Sequence, residues 1–365
     1  MPDTVLTEAA EYEDFLSEIC GFVSSDKKIE PKLYDKYNVK RGLRNADGTG
    51  VVVGLTRVGD VRAYIMQENE KVPIEGRLLY RGIDIYDFVS GCQRGNRYGF
   101  EECAYLLLTG KLPTSGQLEK LKAYLGEHRN LPNGFAEDMI MKAPSPNIMN
   151  KISRSVMAAY SYDENPDDTG IANVVRQSLN LIAQIPTMAA YAYQAKSHYY
   201  DGNSLYLHSP QKELSTSENL LYMIRPDSKF TRLEAEVLDL CLILHAEHGG
   251  GNNSSFTIRV VTSTGTDTFA AVSSAINSLK GPKHGGANHK VMEMVEDIKA
   301  HINDWTDEDE LLEYLVKIMR KDAYDHTGLI YGMGHAVYTL SDPRAVLLKE
   351  KAEELASATG HMKEF

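Results

Sequence analysis

Apolar residues recur at helical spacing along most of the chain after residue 100, and this periodicity limits the possible fold most strongly. Leu118, Leu121 and Leu125 stand three and four residues apart, and another run follows Thr231 and Glu234, which form the sequence pattern of a capping box. Such spacing places the apolar side chains on one face of an α-helix. Because helices of ordinary length follow one another between Gly and Pro breaks, the sequence predicts a mainly α fold.

Further segments with helical composition are separated by polar breaks. The predicted helices cover residues 100–108, 118–125, 147–162, 171–195, 231–249 and 268–279. An acidic break at 163–168 contains Pro166, and the polar residues 199–217 are interpreted as a surface connection.

Two parts of the chain before residue 100 differ from this pattern. Residues 1–40 are charged, and Phe15, Ile19 and Phe22 at helical spacing predict a helical arm that packs against another subunit. Short β-prone runs separated by glycine then predict a small strand-rich patch near the N-terminus. These runs are residues 51–53, 61–65 and 78–80.

The length of 365 residues indicates roughly two domains. We expect a helical arm at residues 1–40, a large helical domain at 41–283 and a small domain at 284–365. With 42% apolar and 25% charged residues, the composition is that of an ordinary globular protein.

Charge and cysteine content exclude several classes of partner. A net charge of −12 argues against nucleic acid or an anionic membrane as the main partner, because both require a basic surface. No apolar run approaches the roughly 18 residues needed to span a membrane. Four cysteines are scattered without C-x-x-C spacing, which predicts reduced thiols and a cytoplasmic location.

Three histidines lie beside glycines where helices are predicted to begin or end. His248 precedes the glycines 249–251, His284 precedes the glycines 285–286, and His335 follows a Gly-Met-Gly segment. Each one alone is explained as well by an ordinary turn or by packing. Together they predict a polar pocket that holds a small, oxygen-rich anion.

His245 and His248 stand three residues apart, a spacing that allows both to bind one metal ion. The sequence has no H-E-x-x-H motif, and no cluster of further ligands follows the pair. We therefore expect no bound metal.

The segment 342–344 predicts both a helix start and a binding residue. Asp342 is a favourable N-cap and Pro343 suits the first helical position. Arg344 then stands in the first turn, where the helix dipole disfavours a cation, which suggests a carboxylate partner. A surface arginine is the alternative.

These segments together resemble the citrate synthase family. Residues 332–337 with 342–344 match its signature, and residues 245–252 and 281–288 match its two other site segments in the same order. The resemblance extends from about residue 42 onward. It implies a multi-helical two-domain homodimer that condenses acetyl-CoA with oxaloacetate, giving citrate and CoA, with acetyl-CoA as co-substrate and no permanently bound cofactor.

The resemblance also implies roles for individual residues. His284 matches the residue that stabilises the enol-like intermediate through the thioester oxygen, and His335 matches the one that polarises the oxaloacetate carbonyl. His248 and Arg344 match residues that bind oxaloacetate. Asn252 matches another position of the substrate site, although turn formation explains it as well.

A second set of residues is assigned to CoA. The segment Gly332, Met333 and Gly334 resembles the backbone that lies against the adenine of CoA. Glycines also permit the sharp bend or close approach that a ligand-binding backbone needs, and a tight turn is the alternative.

The chain departs from the family at its C-terminal end. The family continues beyond the position of Phe365, and that part holds the aspartate that removes the methyl proton. Here no aspartate follows Asp342 and no arginine follows Arg344. We therefore expect a truncated form with impaired catalysis. Two alternatives remain open, a 2-methylcitrate synthase that uses propionyl-CoA and a non-catalytic fragment that keeps only oligomerisation or dicarboxylate binding.

Overall fold

The computed structural model describes residues 30–37, 51, 53, 55–68, 70–282, 284–304, 307–335 and 337–362. Two compact units, Met1–Val51 and Val52–Phe365, are each described by themselves. In the first unit, helix α1 covers Pro31–Lys36 and begins with a proline, whose fixed φ suits a first helical position. Most of the predicted arm, including Phe15, Ile19 and Phe22, lies outside the described residues.

Helices dominate the second unit, which confirms the mainly α prediction. They are α2 (Ile85–Arg94), α3 (Phe100–Thr109), α4 (Ser115–Glu127), α5 (Ile148–Ala159), α6 (Ile171–Asp201), α7 (Thr216–Ile224), α8 (Arg232–Leu244), α9 (Asn253–Thr262), α10 (Thr268–Leu279), α11 (Ala287–His301), α12 (Glu308–Met319) and α13 (Pro343–Thr359). A π-helix covers Ala136–Met141 and a 3-10 helix covers Tyr160–Tyr162.

A small antiparallel sheet precedes the helices, as predicted. Its strands, in the spatial order β1-β2-β3, are β1 (Gly59–Gln67), β2 (Glu70–Tyr80) and β3 (Ile83–Asp84). The prediction of a strand at 51–53 is wrong for Val51 and Val53, which belong to no strand. Strand propensity yields a strand only where a partner can pair with it.

The capping signals in the sequence predict where α8 begins more accurately than where it ends. Thr231 forms the predicted capping box at the start of α8. The prediction that this helix continues to Gly249 is wrong, because α8 ends at Leu244. The ring of His245 bonds the carbonyl of Cys241 through Nδ1 at 2.7 Å and so occupies an acceptor at the helix end.

Helix α6 is longer than the predicted segment 171–195. It continues to Asp201 and ends where Gly202 adopts φ 74°, the left-handed conformation common at helix C-termini. Pro186 lies inside this helix. The composition after residue 195 contains no strong helix breaker before Gly202, so the helix continues.

A buried apolar cluster joins the sheet to four helices and thereby positions the site. Side chains of β2, α2, α3 and α8 pack together in it with Leu347 of α13. Inside it the hydroxyl of Tyr80, which is fully buried, donates to the carbonyl of Ile243 at 2.9 Å. The start of α13 is therefore held close to the end of α8.

A separate apolar cluster belongs to α11 and α12, where Met294 and Ile298 pack with Tyr314 and Ile318. This cluster lies wholly within the predicted small domain. The proposed division of the chain at residues 283 and 284 stays a prediction.

Candidate active site

Aromatic and charged side chains converge between the end of α8 and the start of α13. The ring centroids of His248 and His335 are 5.2 Å apart with the rings nearly perpendicular, and those of His335 and Tyr338 are 4.8 Å apart and stacked. The guanidinium carbon of Arg344 lies 5.9 Å from the centroid of the Tyr338 ring. His248 thus forms one cluster with His335 and Arg344, which lie together on a later segment of the sequence.

Backbone hydrogen bonds determine which nitrogen of His335 carries the proton. Its Nδ1 accepts the N–H groups of Val337 at 3.1 Å and Tyr338 at 3.0 Å. A ring nitrogen that accepts hydrogen bonds is unprotonated, so the neutral ring carries its proton on Nε2. This tautomer can donate a hydrogen bond from Nε2 to a ligand oxygen.

His248 is half-buried, and its Nε2 is a buried polar atom without a hydrogen-bond partner among the described residues. Burial, together with smaller effects of Arg344 and His335 in the same direction, lowers the pKa of His248 to about 4. The ring is therefore neutral at neutral pH. A buried polar atom without a partner is a natural contact for a ligand.

Arg344 already has an anionic partner within its own helix start. Asp342 caps α13 by accepting the backbone N–H of Arg344 at 2.9 Å. Its two carboxylate oxygens also accept hydrogen bonds from the side chain of the same arginine, one from Nε at 3.0 Å and one from Nη2 at 2.6 Å. Burial lowers the pKa of Arg344, but the hydrogen bonds and charge of Asp342 outweigh burial and raise it. The position of Arg344 in the first turn thus has an internal explanation, and substrate binding by it stays a prediction.

His284 lies between α10 and α11 and pairs with a serine from α9. Its Nε2 lies 2.9 Å from Oγ of Ser254. Burial lowers the pKa of His284, which favours the neutral ring. If the serine hydroxyl donates to Nε2, the ring proton is on Nδ1, from which it can be donated to a ligand.

Asn252 acts as a helix cap. Its Oδ1 accepts the backbone N–H groups of Ser254 at 2.9 Å and Ser255 at 3.3 Å, and α9 begins at the next residue, Asn253. The turn interpretation of Asn252 is therefore sufficient to explain this residue, and its predicted contact with substrate is untested.

The Gly-Met-Gly segment before His335 has a backbone conformation that requires glycine. Gly332 and Gly334 adopt φ 84° and 82°, in the left-handed region that favours glycine. A Cβ on Gly332 would lie 3.1 Å from Val291 of α11. Met333 between them is 76% exposed. Its predicted place beside CoA stays a prediction.

The segment that carries the site is docked on the sheet, which the sequence did not reveal. Gly76 of β2 donates its N–H to Oγ of Ser341 at 3.1 Å, and that hydroxyl donates to Glu75. A Cβ on Gly76 would lie 2.2 Å from the carbonyl oxygen of Ser341 and 2.7 Å from the ring of Tyr338. A glycine inside a strand pattern is a signal of such a close approach.

No group of three or more His, Cys, Asp or Glu side chains in the described ranges is arranged to hold a metal ion. None of the helices in these ranges is long and apolar enough to cross a membrane.

Comparison with solved structures identifies the class of fold. A crystal structure of citrate synthase from Pyrobaculum aerophilum matches with a TM-score of 0.68 at 26% identity, covering 88% of this chain and 74% of that one. The fold also matches citrate synthase from Thermoplasma acidophilum in a ternary complex with carboxymethyl coenzyme A and oxaloacetate, at a TM-score of 0.67 and 21% identity, covering 84% and 72% of the two chains.

Sequence comparison identifies the family. The profile of the family described as "Citrate synthase, C-terminal domain" matches residues 47–365. Citrate synthase of Haloferax volcanii is 34% identical over 293 residues, which cover 79% of this chain and 70% of that protein. 2-Methylcitrate synthase of Shewanella oneidensis is 33% identical over 290 residues, 78% of this chain and 68% of that protein. The chain belongs to the citrate synthase family.

The chain spans between 62% and 70% of the length of the first four citrate synthases compared with it.

Proposed function

We propose that the cluster of His248, His335 and Arg344 binds oxaloacetate for a citrate synthase-type condensation with acetyl-CoA. The observation that carries this proposal is the buried Nε2 of His248, which has no hydrogen-bond partner in the described part of the chain. It lies beside a second histidine and a guanidinium. A ligand with several carboxylate and carbonyl oxygens would give His248 Nε2 a partner, and its other oxygens could accept hydrogen bonds from His335 and share the guanidinium of Arg344 with Asp342.

His335 acts on the keto group in this proposal. Its Nδ1 is occupied by two backbone N–H groups, so Nε2 carries the proton. A hydrogen bond from Nε2 to the keto oxygen withdraws electrons from the keto carbon, and the same proton moves to the oxygen as the new carbon–carbon bond forms.

His284 acts on the thioester. When Ser254 donates to Nε2, His284 donates from Nδ1 to the thioester oxygen of acetyl-CoA. This hydrogen bond stabilises the enol that forms when a base removes a methyl proton. The enol carbon attacks the keto carbon, and water then hydrolyses the thioester, which releases citrate and CoA. The Gly332–Gly334 segment would contact the adenine of CoA, and Asn252 would contact oxaloacetate.

Calorimetric titration with oxaloacetate tests the binding part. We expect His248→Ala to weaken binding by about 1–3 kcal/mol because a buried hydrogen bond is lost. His245→Ala is the matched control, since this exposed histidine bonds the carbonyl of its own helix end. Equal binding by the wild-type protein and His248→Ala would disprove the proposed site.

The catalytic base is the second part of the proposal. The 365 residues contain no aspartate after Asp342, and the later carboxylates are Glu350, Glu353, Glu354 and Glu364. We infer that a polypeptide of these residues binds oxaloacetate and turns over slowly or not at all. CoA release from acetyl-CoA plus oxaloacetate measures turnover. Robust release would show that the polypeptide contains an effective base.

A non-catalytic role is the corresponding alternative. It predicts heat on oxaloacetate addition but no exchange of the acetyl-CoA methyl protons with deuterated water. An impaired enzyme would still show slow exchange that depends on oxaloacetate and is reduced by His284→Ala.

A 2-methylcitrate synthase activity is a second candidate, supported by the Shewanella oneidensis relative of that name. One additional methylene in a pocket changes the transition-state free energy by only about 1–3 kcal/mol. The ratio of kcat/KM for propionyl-CoA and acetyl-CoA decides between the two activities.

We further propose a cytoplasmic homodimer. Cys92, Cys103 and Cys241 are free thiols, which suits a reducing compartment. Sedimentation at several protein concentrations tests the dimer.

A further inference from the structure

A polar cavity that is separate from the histidine cluster lies between the start of α3, helix α4 and the start of α7. Its volume is about 440 Å³, and Glu101, Arg129 and Ser215 are among its lining residues. None of His248, His335 and Arg344 lines it. Nothing in the proposed condensation uses this cavity.

A buried carboxylate with an unused oxygen lines the cavity. Glu101 is 1% exposed, and its Oε1 accepts the backbone N–H of Thr216 at 2.8 Å. Its other oxygen, Oε2, is buried and has no hydrogen-bond partner among the described residues. A buried carboxylate oxygen without a donor is costly, so a donor in the cavity would stabilise it.

A buried cation lines the same cavity. Arg129 is 4% exposed, and its Nη1 donates to the carbonyl of Gln211 at 2.5 Å. A guanidinium has five N–H donors, so one carbonyl leaves much of its capacity for another acceptor. Burial lowers the pKa of Arg129 although the charges of Glu101, Glu218 and Glu213 act to raise it. An anionic group in the cavity would offset this desolvation.

The opposite signs of the two buried groups determine the class of ligand. A simple anion would suit Arg129 but would lie near the carboxylate of Glu101, and a simple cation would have the reverse problem. A ligand with both charges on adjacent atoms satisfies both groups and adds no net charge to the cavity. The rest of the lining carries both signs. Lys122 is paired with Glu119, and Lys212 is paired with Glu127 outside the cavity. Glu213 and Glu218 add two carboxylates, of which Glu218 accepts the backbone N–H of Ser215.

We propose that this cavity binds a small zwitterion, a free α-amino acid, with its ammonium group at Oε2 of Glu101 and its carboxylate at the guanidinium of Arg129. The cavity volume is sufficient for such a molecule. Binding here is independent of oxaloacetate and acetyl-CoA, so the proposal can fail or succeed whatever the activity of the histidine cluster.

Three ligands of nearly equal size test the charge requirement, namely L-alanine, propionate and ethylamine. Their binding to the full 365-residue chain is measured by calorimetry and by the shift in melting temperature, without other substrates. We expect L-alanine to bind and to raise the melting temperature. Propionate and ethylamine, which each lack one of the two charges, should bind about tenfold more weakly or not at all.

Two variants locate the binding. Glu101→Gln keeps an oxygen for the N–H of Thr216 but removes the charge, and it should weaken L-alanine binding about tenfold or more. Glu119→Gln makes the same chemical change at the exposed rim and should leave binding unchanged. Three results would overturn the proposal: no binding of L-alanine, which would indicate water only in the cavity; equal binding of all three ligands; or unchanged binding in Glu101→Gln.

Discussion

Asp342 has two functions at the start of α13, and one of them competes with the binding of a substrate. It caps the helix, and it also holds Arg344 through both carboxylate oxygens. A substrate carboxylate must therefore compete with Asp342 for the guanidinium or share it. The strength of this internal pair limits how tightly an anion can bind.

Replacing the internal anion should strengthen oxaloacetate binding. Asp342→Asn keeps a good N-cap and removes the charge that neutralises Arg344. We expect binding to tighten by about 1 kcal/mol, or roughly fivefold in Kd, when titrated by calorimetry. Arg344→Met should weaken it by about 2–5 kcal/mol. Weaker binding in Asp342→Asn would mean that Asp342 contacts the ligand favourably.

His248 should take up a proton when an anion binds beside it. Its pKa is about 4 in the unliganded protein, below the ordinary value of 6.5, because it is buried close to the charge of Arg344. The negative charge of a bound dicarboxylate raises this pKa back toward 6.5. At a pH between 4 and 6.5, the complex therefore binds more protons than the unliganded protein does.

Titrations at pH about 5.5 in two buffers of different ionisation enthalpy measure this uptake. The uptake should disappear at pH about 8, where the ring is neutral with or without ligand, and in His248→Asn. Uptake that persists in His248→Asn would assign the proton to another group.

At the scale of secondary structure, a buried aspartate joins two helices that serve the two sites. Asp239 of α8 accepts the N–H of Gly99 at 2.7 Å and of Phe100 at 3.2 Å, at the start of α3. Helix α3 carries Glu101 of the second cavity, and α8 leads toward His248. The carboxylate thus connects the elements at which both candidate ligands would bind.

This connection should depend on pH. Burial raises the pKa of Asp239 from 3.8 to about 7, although two backbone N–H bonds act to lower it. A folded-state pKa above the unfolded one means that the folded protein loses stability as pH rises from about 4 to about 7, and the loss is complete above about 7.

Asp239→Asn should remove this part of the pH dependence. The amide keeps one acceptor for the backbone N–H groups, as a protonated carboxyl does. We expect the free energy of unfolding of the wild-type protein to fall, relative to the variant, by at most about 4 kcal/mol between pH 4 and 7 in urea titrations. Asp227→Asn is the control, because this exposed aspartate also accepts a backbone N–H. Parallel profiles for wild type and Asp239→Asn would contradict the expectation.

At the scale of the whole molecule, the site depends on the contact between the N-terminal sheet and the segment before α13. Tyr338 donates from its hydroxyl to the carbonyl of Arg77 at 3.4 Å, and its ring stacks on His335. Gly76 allows this approach because it has no Cβ. The sheet therefore helps to orient a histidine that lies more than two hundred residues later in the chain.

Gly76→Ala should damage both stability and binding. The added Cβ would meet backbone oxygen and ring atoms at distances that require the site segment to move. We expect a loss of about 1–3 kcal/mol in the free energy of unfolding and weaker oxaloacetate binding. Gly91→Ala in α2 is the matched control, since its Cβ would meet nothing within 4 Å, and it should be neutral or stabilising by up to about 1 kcal/mol. Equal stability of the two variants would argue against a tight contact at Gly76.

Features that depend on a few neighbouring residues could be predicted from the sequence. The cap at Asp342 and the capping box at Thr231 are of this kind, because the side chain and the N–H groups it accepts are within three residues. The glycines 249–251 predict a later end of α8 than Leu244, because the bond of the His245 ring to the Cys241 carbonyl at the helix end is not visible in the sequence pattern.

Of the features that depend on distant contacts, the sequence predicted only the grouping of its histidine turns. It suggested that the three turns share a pocket, and the structure brings His248 and His335 together with Arg344. It gave no indication that Asp239 would cap another helix, or that Glu101 would be buried with an unused oxygen. Both depend on which helices pack together, and periodicity alone does not determine that.

The contact between Gly76 and Ser341 spans 265 residues of sequence. During synthesis the ribosome therefore releases the glycine-bearing face of β2 long before the segment that covers it has been made. Until then this face offers an unoccupied binding surface to chaperones and to other nascent chains. The contact that helps to orient His335 accordingly cannot form before residue 341 has been synthesised, whereas the helices between β2 and this segment can form earlier.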